Sequence, residues 1–183
     1  MNRFVLLLFL ISNSLYSFAQ STISATDKCI ISEFENSEDF ENQYSDFYQL
    51  DSFRSNIAKF NELHSAIFLY KLNTHGRYSA KGGLIDLKRN TINKFYSDKE
   101  IENIIDSLDT KFLLTSIDLL SNKNYIEHCA NNTLEDFTFF IIKLDGNLKA
   151  RLLILGKENL NTSTIETTPI KKLLHKVSYY INQ

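Results

Sequence analysis

The sequence predicts an α+β fold: a helical N-terminal half, a small antiparallel sheet that includes a hairpin near residues 134–155, and an amphipathic C-terminal helix. Three observations carry that prediction. Aromatic and aliphatic residues recur at helical spacing between residues 38 and 72, Asp145-Gly146 separates two apolar runs, and an apolar stripe extends from Ile170 to Ile181.

In chain order, Phe40, Tyr44, Phe47 and Tyr48 follow Ser37, a good N-cap, so residues 38–50 read as a helix. A second helix begins near Ser52, because Phe53, Ile57, Phe60, Leu63, Ile67 and Tyr70 follow steps of four and three. It is expected to run to Leu72 and to stop at Asn73 to Gly76. Ala66 to Leu72 also fits a strand, since a short apolar run does not identify its own period; helix is the favoured reading. Gly82-Gly83 breaks the chain, and Leu84 to Tyr96 reads as one or two short strands. Ser97 and Glu100 then match a capping box, each able to satisfy a free backbone N–H of the other. With Ile101, Ile104, Ile105 and Leu108 on one face, a helix is expected over 98–108. Leu113, Leu114, Ile117 and Leu120 repeat the pattern over 111–121.

Asp145-Gly146 is a preferred two-residue hairpin turn, because both central positions need positive φ. With that loop, opposed residue numbers sum to 291, and one face carries Phe137, Phe139, Ile141, Leu148, Ala150, Leu152 and Ile154. The other face sets Phe140 opposite Arg151 and Ile142 opposite Lys149. Two readings of that mixed face compete. A covering helix would let the Lys and Arg stems lie over apolar neighbours. Alternatively Phe140, Ile142, Lys149 and Arg151 form a partner-binding face for an acidic partner. Thr168-Pro169 opens the last helix with a cap and a first-turn Pro. Ile170, Leu173, Leu174, Val177 and Ile181 form its apolar stripe, with Lys171, Lys172 and Lys176 away from it.

The first nineteen residues read as a secretory signal peptide. Arg3 is the basic n-region, Phe4 to Ile11 the apolar core, and Ser17 and Ala19 supply small residues before the cleavage site. The apolar run is shorter than the ~20 residues that span a bilayer. Residues 20–183 are then expected to form a single domain, periplasmic or secreted, and the richness in Asn, Ile and Lys points to a bacterium. In that compartment Cys29 and Cys129 are expected to pair as a disulfide. Closing a loop of about 100 residues contributes on the order of 4–5 kcal/mol in the chain-entropy model.

A formal net charge of −2 gives no field for nucleic acid or anionic membrane. No phosphate-binding Gly loop, paired-His helix, Ser elbow or calcium loop is present in the sequence, so no cofactor, metal site or catalytic set is expected. Glu127-His128-Cys129 brings ligand-capable residues together, but neighbours along a chain project differently. The adjacent carboxylates Glu135 and Asp136 would point to opposite faces of a strand. His75-Gly76-Arg77-Tyr78 reads as a polar connection, and Asn131 and Asn161 open glycosylation sequons that matter only in a eukaryotic secretory pathway. The chain therefore reads as an exported, soluble, non-catalytic interaction protein with a protein partner in the cell envelope or outside the cell. An inhibitor, an immunity-type protein and an envelope-assembly subunit all fit. A carrier of a small apolar ligand and a hydrolase with a dispersed active site are the alternatives.

Overall fold

A computed structural model describes residues 29–34, 37–42, 45–73, 79–96, 99–120, 122–129, 136–155 and 169–183. The expected signal peptide, the His75 to Tyr78 segment, Glu135, Thr168 and both sequons lie outside these residues.

Eight strands form one sheet: β1 (Cys29–Phe34), β2 (Ala66–Asn73), β3 (Ser79–Asp86), β4 (Thr91–Tyr96), β5 (Lys99–Ile104), β6 (Lys123–Cys129), β7 (Asp136–Leu144) and β8 (Asn147–Leu155). Their order is β1-β6-β8-β7-β2-β3-β4-β5. Neighbours run antiparallel except β6 and β8, which are parallel. The expected fold class is thereby corrected. The sheet is large and mixed rather than small and antiparallel, and the N-terminal half supplies three of its strands instead of being helical.

The helices are α1 (Ser37–Asn42), α2 (Asp51–Glu62), α3 (Ser107–Asp118) and α4 (Pro169–Asn182), with a 3-10 turn at Ser45–Gln49. Helix α2 stops at Glu62 because Leu63 turns extended (φ −80°, ψ 145°). The favoured helix over 66–72 is instead β2, and its lack of alternation has a physical cause. Ile67 and Leu69 are buried in one core while Phe68 and Tyr70 are buried in the other, so both faces demand apolar residues.

The expected helix over 98–108 is also corrected. Lys99 to Ile104 pair with β4, from Tyr96↔Lys99 to Thr91↔Ile104, and the helix starts only at Ser107. Asp106 is its N-cap and accepts the Leu108 N–H at 2.7 Å. Of the isoleucines that suggested a helical face, Ile105 is buried, whereas Ile101 and Ile104 are 50% and 86% exposed. The hairpin and the last helix form where expected: Asp145 and Gly146 have φ of 52° and 77°, and Pro169 opens α4.

A bulge between Ile142 and Lys143 resets the hairpin register. Opposed numbers sum to 291 at Leu144↔Asn147 and Lys143↔Leu148, then to 292 from Ile142↔Ala150 onward. One face consequently carries Phe140, Ile142, Ala150, Leu152 and Ile154 beneath α3 and α4. Phe137, Phe139, Ile141 and Leu153 occupy the opposite face, beneath α1, the 3-10 turn and α2.

The two cores differ in character. Under α2, Phe53 meets Tyr70 edge-on at 5.1 Å and Phe139 at 5.4 Å, while Phe47 stacks on Phe137 at 3.6 Å. Under α3 and α4 the contacts are mainly aliphatic, with Leu113, Ile117, Leu173, Leu174 and Val177 all fully buried. Each helical layer is also seated by a buried cation. Arg151 donates to Asn124 at 2.7 Å and to Glu41 of α1 at 2.9 Å, with its guanidinium 4.8 Å from the Phe40 ring. Lys171 of α4 pairs with Glu127 of β6 at 2.5 Å, both nearly inaccessible.

Gly82 is required by close approach. A Cβ there would lie 2.0 Å from the Leu69 carbonyl oxygen and 2.4 Å from the Phe95 ring. Gly82→Ala is therefore expected to destabilise the protein by about 3 kcal/mol or more, as overpacking against backbone does. Urea unfolding of the two proteins measures the difference.

Candidate functional site

The exposed large apolar side chains are not scattered. Among the described residues they are Tyr48, Ile101, Ile104, Leu108, Phe112, Leu119 and Tyr179. All but Tyr48 belong to β5, to α3 with its C-cap Leu119, or to α4. Leu108, Phe112 and Leu119 stand four and seven residues apart, which places them along one side of α3. Lys176 joins this stripe to α4: its ammonium lies 5.9 Å from the Phe112 ring and 5.8 Å from the Tyr179 ring.

Strand β5 is an edge strand with all six residues exposed. Its outer backbone groups have no strand partner among the described residues, and Lys99, Glu100 and Glu102 are the charges that commonly keep such an edge soluble. Glu100 also ties the edge to α2 and β4, accepting from Lys59 Nζ at 2.6 Å and from Asn93 Nδ2 at 3.3 Å. The Lys59 hydrogen bond holds the Glu100 carboxyl below its ordinary value.

Beside this face, between β4, β5 and the ends of α3 and α4, lies an open cleft of about 430 Å³. Ile92 and Lys94 project from β4, Asn103 and Ile104 come from β5, and Asp106 and Asp109 approach from the start of α3. Tyr180 closes the side formed by α4. Lys94 is only 8% exposed and makes no ion pair or hydrogen bond among the described residues. The Tyr180 hydroxyl is buried beside the Asp109 carboxylate and the Lys176 ammonium. Burial, then the nearby Asp109 carboxylate, pushes Tyr180 up to about 12, so it stays a phenol. The Tyr180 hydroxyl and then the Lys176 ammonium lower Asp109, which pairs with Lys176 at 3.1 Å. The two acids of the cleft are thus engaged, Asp106 as a cap and Asp109 in an ion pair.

The four residues of the expected partner-binding face are not brought together. Phe140 and Ile142 are fully buried under α3 and α4, Arg151 is buried on the opposite side of the sheet, and Lys149 is half-buried at the bulge. Cys29 and Cys129 are direct partners in the register of β1 and β6. Glu127 takes part in the buried ion pair with Lys171. Sequence reasoning missed Lys94, Asp109, Tyr180 and the Phe112–Tyr179 stripe. The available signals were a lysine at an inward position of the strand Thr91–Tyr96 and large aromatics lying off the apolar stripes of α3 and α4.

No protein-family model, curated protein or solved structure matches the chain. Among the described residues, no helix is long and apolar enough to cross a membrane.

The Lys59–Glu100 link carries a pH dependence. Because the folded carboxyl titrates lower than the unfolded one, the link contributes above the ordinary value of 4.5 and is lost as pH falls through its lowered folded value. Both partners are substantially exposed, so its contribution is only about 0.2–1 kcal/mol. Corrected amide exchange of β5 is expected to quicken in acid in the native protein, and to show no such step in Lys59→Met.

Proposed function

We propose that this protein is an exported, non-catalytic binding protein that docks a protein partner through the face formed by β5, α3 and α4. The observation that carries this reading is the exposed apolar stripe of α3, joined to Tyr179 of α4 through Lys176. Interfaces concentrate their energy in aromatic and cationic anchors ringed by polar residues. Phe112 and Tyr179 around Lys176 have that composition, and the exposed Lys111, Asp118 and Lys172 are the accompanying polar groups. The free edge of β5 offers the partner a strand to extend. Engagement of both cleft acids supports binding rather than turnover, which fits an inhibitor, an immunity-type protein or an envelope-assembly subunit.

Export is supported by the charge and apolar pattern of residues 1–19. A Cys29–Cys129 disulfide is part of the same reading and is supported by their direct opposition in the β1–β6 register. It would fasten the strand β1 to its neighbour β6. Alkylation of the unreduced exported protein, followed by mass measurement, is expected to add nothing, whereas reduction first adds two adducts. Two adducts without reduction would remove the disulfide.

Docking is tested by affinity capture from envelope extracts with the exported protein and its Phe112→Glu and Tyr179→Glu variants. Both side chains are exposed, so the variants should fold with melting temperatures within a few degrees of the native one. A stoichiometric partner bound by the native protein and reduced at least tenfold in both variants is expected. Equal recovery on all three sinks the proposed face.

A further inference from the structure

We propose that α3 pairs with α3 of a second copy of this chain, antiparallel about a two-fold axis, through the stripe of Leu108, Phe112, Thr115 and Leu119. These four residues follow one another by four, three and four positions, the alternation that keeps a seam facing a neighbouring helix. The buried residues Thr110, Leu113 and Ile117 lie on the far side of α3, so the helix has two contact faces and its own fold fills one. Leu108 and Leu119 are 77% and 72% exposed, so most of both side chains is open to a neighbour. The polar position in the seam is no obstacle. Thr115 Oγ1 already donates to the Lys111 carbonyl at 2.9 Å, and beside it Ser116 Oγ donates to the Phe112 carbonyl at 2.8 Å. Covering them leaves neither hydroxyl proton unpaired.

The flanking charges select a second copy and its direction. Lys111 and Asp118, both exposed, each precede a seam residue and stand seven positions apart, on the same side of the stripe. An axis midway between residues 113 and 114 reverses the second helix, setting Leu108 over Leu119 and Phe112 over Thr115. At a rise of about 1.5 Å per residue, Lys111 then lies about 3 Å along the helix from Asp118 of the second copy, within reach of its long side chain. The two-fold repeats that pair in reverse, so one helix supplies both halves of two ion pairs. A parallel copy would set Ser116 beside Lys111 and form no pair. The seam is short, because the 12 residues of α3 span about 18 Å, and the dimer is therefore reversible. It shares the stripe with the proposed docking face without requiring a foreign partner.

The test is sedimentation equilibrium of the exported protein from low micromolar to millimolar concentration, with circular dichroism melting to establish that each variant is folded. A monomer–dimer equilibrium is expected, weakened at least tenfold by Phe112→Glu and roughly fivefold by Lys111→Asp or Asp118→Lys alone. The double variant carrying both reversals is expected to return to within twofold of the native affinity. A monomer at every concentration, a dimer that Phe112→Glu leaves intact, or single reversals without effect would overturn the proposal. Failure of the double variant to recover would overturn the antiparallel seating. A protein that stays monomeric yet captures an envelope partner overturns self-association alone, whereas a dimer that captures nothing overturns the foreign-partner reading alone.

Discussion

The architecture depends on the adjacent strands β2 and β7 being covered on both faces. Ile67, Leu69, Phe140 and Ile142 are buried on one side, and Phe68, Tyr70, Phe137 and Phe139 on the other. A sheet apolar on both faces is stable only between two layers. One layer is built around α2 and the other around α3 and α4. Burial falls away on the β5 side, where all six residues of the edge strand are exposed.

Hydrophobic contact alone would let the helices slide over such a surface, and the buried ions restrict where they can rest. Arg151 must meet Glu41 and Asn124, and Lys171 must meet Glu127, or a charge is left buried without a partner. A buried pair adds little net stability compared with apolar packing, but leaving one member unpaired costs about 3–5 kcal/mol. The penalty for misplacement selects a single seating of α1 and of α4.

The two ends of the sheet have different chemistry. At one end β1 is paired, among the described residues, with β6 alone, at a register that opposes two cysteines. At the other, the outer edge of β5 has no strand partner among the described residues. Lys176 connects the features of this second end, since it pairs with Asp109 at the cleft and lies near the rings of Phe112, Tyr179 and Tyr180.

What the sequence by itself determined was local. The Asp145-Gly146 turn was legible because positive φ at two successive positions is a backbone requirement that few residue pairs meet. Helix α4 was legible because its stripe faces a single core, so its period survives in the residue pattern. Only the tertiary structure decided β2, whose double burial erases alternation, and β5, whose isoleucine spacing suits a helix as well as a strand but whose backbone is claimed by β4. The one-residue bulge at Ile142 and Lys143 likewise left no mark in the sequence, yet it grouped Phe140 and Ile142 with Leu152 and Ala150 and set Arg151 on the opposite face. The cleft could not be read for the same reason. Lys94, Asp109 and Tyr180 are far apart along the chain, and their meeting follows from pairing and packing that local residue preferences do not encode.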